Sequence, residues 1–185
     1  MAHANLLDIN TTALIVVDIQ EAFRNAIPTF PIVASRASIA VRGFSTLGVP
    51  VIVTEQYPKG LGHTAEEIQL VLPDGHEIIE KTAFSSCGAG LFVEKLEQLG
   101  VKQAVLCGLE AHVCVNQTAH DLLTRGFQVH LLTDCVCSRF EHDQAAGLAK
   151  MKTSGVLPSS IEMAFFELMR DSKHPKFREV QELIR

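Results

Sequence analysis

Three side chains in this sequence could do covalent chemistry together: Asp18, Lys81 and Cys114. Asp18 closes the apolar run Ala13-Leu-Ile-Val-Val-Asp18. Lys81 follows His76-Glu-Ile-Ile-Glu80, and Cys114 lies in the turn after Gln103-Ala-Val-Leu-Cys-Gly108. A cysteine attacks as its thiolate, and a free thiol titrates near about 8.5. A helix starting close to Cys114 and the Lys81 ammonium are both expected to favour the thiolate. Asp18 can take the thiol proton and later direct a water. Backbone N–H groups of the turn from Gly108 to Cys114 can hold a developing oxyanion. Those are the parts of an acyl-transfer hydrolase. Taken singly, each residue has a plainer reading. Cys114 between Val113 and Val115 also fits a core position, and Lys81 also fits a solvated surface. A carboxylate at the end of a first strand is the more telling signal, because ligands of open parallel sheets bind beyond the carboxyl ends of the strands.

The elements that must position these residues alternate along the chain. Strands are expected at Ala13–Asp18, Val49–Thr54, His76–Glu80, Gln103–Gly108, Phe127–Thr133 and, briefly, at Val156-Leu157. These runs do not alternate apolar with polar, which suits strands buried on both faces. Between them, apolar residues recur every three or four positions. Val33, Ala37, Val41, Phe44 and Leu47 mark a helix stopped by Gly48 and Pro50. Leu91, Val93, Leu96 and Leu99 mark a second, Ala119, Leu122 and Leu123 a third, and His142–Lys152 a fourth. Ser159 or Ser160 can cap a fifth, with Glu162 in its first turn, and Pro175 can open a last one ending at Ile184. The expected class is α/β, a three-layer α/β/α domain with a mostly parallel sheet of about six strands, spanning residues 1–185 as one unit.

Composition bounds the partners. Sixteen basic against twenty-one acidic residues give a net charge of −5, which argues against a nucleic-acid partner. No apolar run reaches the length of a membrane helix, and residues 1–10 lack the order of a signal peptide. Five cysteines, an odd number, fit a reducing, cytoplasmic setting.

Five segments, in this order, carry a family resemblance: Thr12-Ala-Leu-Ile-Val-Val-Asp-Ile-Gln-Glu-Ala-Phe23, Thr54-Glu-Gln-Tyr-Pro-Lys-Gly-Leu-Gly62, Glu80-Lys-Thr-Ala-Phe-Ser85, Gly108-Leu-Glu-Ala-His-Val-Cys-Val-Asn-Gln-Thr-Ala119 and Asp134-Cys-Val-Cys-Ser-Arg139. The chain resembles the isochorismatase-like superfamily of cysteine hydrolases, in particular its isochorismatase domain-containing proteins. That resemblance implies a catalytic triad of Asp18, Lys81 and Cys114. It implies a cis peptide at Leu109–Glu110, with the Glu110 and Cys114 amides as the oxyanion hole. It places Gln20 and Phe23 in the substrate pocket; Tyr57, Phe84 and His112 are further candidate walls, and Phe23 and Phe84 also fit core positions. Members of the nicotinamidase type carry a metal-binding Asp-x-His after the second strand. Here the stretch reads Glu55-Gln56-Tyr57-Pro58, so neither a metal nor a cofactor is expected. The implied activity is hydrolysis of a small amide-like or related carbonyl substrate. The rival is a non-catalytic binding or assembly protein on the same fold.

Other signals are set aside. Cys135-x-Cys137 has no second pair at zinc spacing and reads as core or pocket-edge thiols. Gly88-Ala-Gly90 lacks the third glycine of a dinucleotide loop and reads as relief of crowding. His120 and His130 are expected to be satisfied core histidines. Phe177, Val180 and Ile184 form an apolar stripe that packs on its own domain or on a neighbour, and a homo-oligomer is expected.

Overall fold

A computed structural model describes residues 3–185. Six parallel strands form one sheet: β1 (Thr12–Val17), β2 (Val51–Gln56), β3 (Ile78–Lys81), β4 (Gln103–Leu109), β5 (Gln128–Cys137) and β6 (Leu157–Ser159). Their spatial order is β3-β2-β1-β4-β5-β6. The order reverses between β1 and β4, and ligands of such sheets bind beyond the carboxyl ends of the strands at that switch point. Every residue of β1 and of β4 is buried, as strands covered on both faces require.

Among the described residues, eight helices flank the sheet: α1 (Phe30–Thr46), α2 (Pro58–Leu61), α3 (Glu66–Gln69), α4 (Gly90–Gln98), α5 (Asn116–Thr124), α6 (Glu141–Thr153), α7 (Ile161–Met169) and α8 (Phe177–Glu182). Two separate cores result. Helices α1, α3, α7 and α8 cover one face, where Phe30, Val33, Ala37, Phe44 and Phe165 meet Leu14, Val16 and Val105. Helices α4, α5 and α6 cover the other, where Phe92, Leu96, Leu122 and Met151 meet Ile15, Val17 and Leu106. The three-layer α/β/α expectation holds.

Details differ. β2 runs two residues later than expected, and Lys81 is the last residue of β3 rather than its follower. β5 extends through Thr133-Asp134 to Cys137, four residues past its expected end. Its pairing with β4 slips between Leu106 and Gly108, which accommodates the polar pair. Asp134 is held there by Arg36 of α1 and by the first amide of α7, at Ile161. The sequence pattern does not announce α2 and α3; four residues are too few to show a helical period. Ser160 accepts from the Met163 amide and caps α7. Phe177, Val180 and Ile184 pack on the chain's own core. Gly88 does relieve crowding: a Cβ there would lie 2.4 Å from that of Ala83.

Candidate active site

Asp18 follows the last residue of β1 and adopts a left-handed backbone, φ 51°. That conformation is uncommon outside glycine, asparagine and aspartate. It stands at the β1/β4 switch point and is almost completely buried, 1% exposed. Lys81 reaches it from the end of β3 with its Nζ 2.5 Å from Asp18 Oδ2. The same ammonium donates to Gln56 Oε1 at 2.7 Å and to the carbonyls of Phe84 and Ala83 at 3.0 and 3.2 Å. The other carboxylate oxygen, Oδ1, accepts from Thr54 Oγ1 at 2.7 Å. A buried charge pair survives only when its remaining hydrogen-bonding capacity is met in this way.

Cys114 comes from the turn that follows β4. Gly108, the last residue but one of β4, stands at φ 134°, where a Cβ would lie 2.1 Å from the Val17 carbonyl oxygen. Only glycine lets β4 lie this close to β1. The peptide Leu109–Glu110 is cis. Ala111–Val115 then form a single wide helical turn that leads into α5, with Val115 N–H bonded to the Glu110 carbonyl five residues back. Such turns are frequent at functional sites. The thiol lies beside the Asp18 carboxylate, which acts on it both as a charge and as a hydrogen-bond acceptor. Asp18, Lys81 and Cys114, distant in sequence, are thus brought together.

The electrostatics correct one expectation. The thiol is not tuned toward thiolate: burial first and the Asp18 carboxylate next push Cys114 up to about 12, and Lys81 opposes this only in part. The reason is position. Lys81 faces Asp18 rather than the sulfur, so its charge is largely spent on the carboxylate. Burial also pushes the Asp18 carboxyl up from its ordinary value, against the pull of Lys81 and Thr54. The resting arrangement is a neutral thiol pointed at a base of raised proton affinity.

The remaining expected site residues divide. Tyr57 and Phe84 stand half-exposed beside Lys81, whose carbonyl accepts from the Tyr57 amide and whose ammonium donates to the Phe84 carbonyl. Gln20 is fully buried, and its polar atoms go to backbone: Nε2 to the carbonyls of Gly62 and Gln56, Oε1 to the Gln56 amide. It orients Gln56, which in turn holds Lys81. Phe23 packs against the α1 side of the core. His112 turns away from the thiol, its Nδ1 3.0 Å from Ser138 Oγ. The Glu110 carboxylate accepts from the Arg139 amide and Nε, both at 3.0 Å. Gly147 of α6 lies so close that a Cβ would meet His112 Cα at 2.8 Å. Arg139, Ser138 and Gly147 therefore clamp the turn that carries Cys114.

Thr54, Gln56 and Arg139 are contacts that sequence reasoning passes over. Thr54 leaves a trace, a lone hydroxyl closing the apolar run from Val49. Arg139 closes one of the five family-like segments without a role of its own being implied. Elsewhere, His120 is satisfied, by the Asn116 carbonyl and Ser154 Oγ. His130 is not: its buried Nε2 has no partner among the described residues. All five cysteines are free and buried.

A single chain thus sets an Asp, a Lys and a Cys at the switch point of a six-stranded parallel sheet, where ligands of such sheets bind. The chain belongs to the isochorismatase family, whose domain model matches residues 12–163. It is 41% identical over 175 residues to isochorismatase domain-containing protein 1 of Salmo salar, an alignment covering 95% of this chain. The chain spans 61% of the length of that relative. Among solved structures, a MAR1 ribonuclease from Caenorhabditis elegans is 39% identical, with a TM-score of 0.92 over 97% of this chain and 92% of that one. The Escherichia coli YcaC gene product, described as an octameric hydrolase of unknown specificity, shares the fold at 21% identity, TM-score 0.85, over 98% and 97% of the two chains.

Proposed function

We propose that the protein is a cysteine hydrolase of small amide-like carbonyl compounds, working through a thioester on Cys114. The observation that carries the reading is the buried Lys81–Asp18 pair at 2.5 Å with the Cys114 thiol beside the same carboxylate. Asp18 accepts the thiol proton as the sulfur attacks the carbonyl carbon, forming the C–S bond and an oxyanion. The Glu110 and Cys114 amides of the intervening turn are the donors for that oxyanion. The intermediate collapses with breakage of the C–N bond, and Asp18 returns its proton to the departing amine. Water then gives a proton to Asp18 and attacks the thioester. The C–S bond breaks, the acid leaves, and the proton on Asp18 restores the thiol. Lys81 stays charged throughout and steadies the carboxylate. Tyr57 and Phe84 form the mouth of the pocket, His112 and Phe23 stand behind its walls, and Gln20 sets the depth of Gln56.

An activated probe tests this without knowledge of the substrate. Mixing the protein with p-nitrophenyl acetate and following intact mass and peptide mass is expected to give an acetyl group confined to Cys114 that decays with time. Cys114→Ala should give neither the adduct nor nitrophenol release above the uncatalysed rate. Full release by a folded Cys114→Ala protein would defeat the proposal.

A second reading, action on RNA, is favoured by one observation, the name given to the C. elegans relative. The net charge of −5 opposes it. Titration with single-stranded RNA at two salt concentrations decides: salt-sensitive binding would revive that reading, and its absence would close it. We also propose a homo-oligomer. Ile32, Tyr57, Phe84, Leu91, Phe140 and Met163 are large apolar side chains exposed just past strand ends or in first turns of helices. They share the rim that bears the site, and the E. coli relative is an octamer.

A further inference from the structure

Three hydroxyls lie fully buried beneath the site, those of Thr54 on β2, Ser86 just after β3, and Thr118 on α5. The hydrolytic cycle leaves Ser86 and Thr118 without a role. Thr54 Oγ1 is 2.7 Å from Asp18 Oδ1 and 3.5 Å from Ser86 Oγ. Ser86 Oγ is 3.3 Å from Thr118 Oγ1, which also accepts from the Ser86 amide at 2.9 Å. Counting protons fixes the direction. A hydroxyl has one proton to give. Ionised Asp18 can only accept, so Thr54 donates to it. Thr54 then has nothing left for Ser86, so Ser86 donates to Thr54 and Thr118 donates to Ser86.

Thr118 shows that this is not ordinary helix chemistry. A helical threonine commonly donates to the carbonyl four residues back. Thr124 and Thr153 do so here, to His120 and Ala149 at 2.9 Å. In Thr118 that carbonyl would be the one of Cys114, and the hydroxyl donates to Ser86 instead. Burying three hydroxyls away from water costs free energy unless each is paired, and a row of donors aimed one way polarises each member along it.

We infer that Thr54, Ser86 and Thr118 form a one-way donor chain that sets the proton affinity of Asp18 and ties it to α5, the helix into which the Cys114 turn leads. They are positioning residues; none reaches the reacting carbon. The role rests on Asp18 acting as the base. Each donor stabilises the carboxylate form, so removing one raises the pH at which Asp18 titrates. The first link is short and charged, the outer two are long, and the effects should fall off along the chain.

The test follows the Asp18 side-chain carboxyl by carbon-13 NMR against pH, in a Cys114→Ala background so that the neighbouring thiol does not titrate. Thr54→Val should raise the midpoint by about one pH unit, the scale of one hydrogen bond to a charge. Ser86→Ala and Thr118→Val should raise it by successively smaller amounts, and Thr118→Ser should restore it. Ser86→Ala and Thr118→Val carry the test if Thr54→Val does not fold. Midpoints unmoved in both would overturn the chain, as would a shift in Thr118→Val that Thr118→Ser fails to reverse. The midpoint needs no turnover, so loss of the chain and loss of the hydrolase reading are separate results.

Discussion

At the scale of single residues, the site works by opposition. Asp18 and Lys81 are an ion pair out of reach of water, 1% and 0% exposed at their side chains. Such a pair is weak evidence of stability when intact and a large loss when halved. Lys81→Met leaves a buried carboxylate without its cation. It should cost about 3–5 kcal/mol near pH 7. Its pH dependence has a definite sign. Without Lys81 the Asp18 carboxyl titrates still higher in the folded state than in the unfolded chain, so stability falls as pH rises through that range. The deficit against wild type in urea unfolding should therefore shrink toward acidic pH. A deficit independent of pH would mean that the lysine acts through packing alone. The convergence of Asp18, Lys81 and Cys114 was legible in the sequence because two of them stand at strand ends and the third in the turn just past one, where residue type and place coincide. The state of the thiol was not. It depends on whether the cation or the anion lies nearer the sulfur, and that is a matter of side-chain direction across three elements.

At the scale of elements, continuous apolar runs announced β1 and β4, and three-to-four spacing announced α1, α4 and α5. What stayed hidden followed from tertiary contacts. The end of β5 reads as a loop because Thr133 and Asp134 break the apolar run; Arg36 and the start of α7 are what make the aspartate tolerable there. His130 on the same strand is the opposite case, a buried imidazole with Nε2 unpaired. Burial pulls it down to about 4. The unfolded chain takes up that proton near about 6.5, the folded one only near 4. Stability is therefore present above about 6.5 and drains as pH falls toward about 4. The difference is worth about 3 kcal/mol at most. Replacing it by His130→Leu should leave stability at pH 7 little changed and make the variant progressively more stable than wild type between about pH 6.5 and 4. Parallel pH curves for the two proteins would refute this account of the strand.

At the scale of the whole molecule, the two faces of the sheet are fully covered, and α8 closes one core rather than seeking a partner. The surface proposed for association is the apolar rim at the carboxyl ends of the strands; Leu70, Leu99 and Phe166 are exposed as well. Light scattering coupled to size exclusion should give a mass above that of one chain. Substituting Phe84→Lys together with Phe140→Glu should lower the assembly state without unfolding the protein. A monomer at micromolar concentration would leave the rim to the substrate alone. No described helix is long and apolar enough to cross a membrane.

The coupling of Cys114 to Asp18 is the most direct measure of whether the site is assembled. Iodoacetamide alkylation of each cysteine can be followed by peptide mass spectrometry across the pH range, in wild type and Asp18→Asn. Burial holds the thiol up first and the Asp18 charge next; removing the carboxylate takes away the second cause and leaves the Lys81 ammonium unopposed. The wild-type inflection for Cys114 should lie well above the ordinary thiol value of about 8.5, and in Asp18→Asn it should move down. An inflection at the ordinary value in wild type, unchanged in Asp18→Asn, would contradict the assembled site.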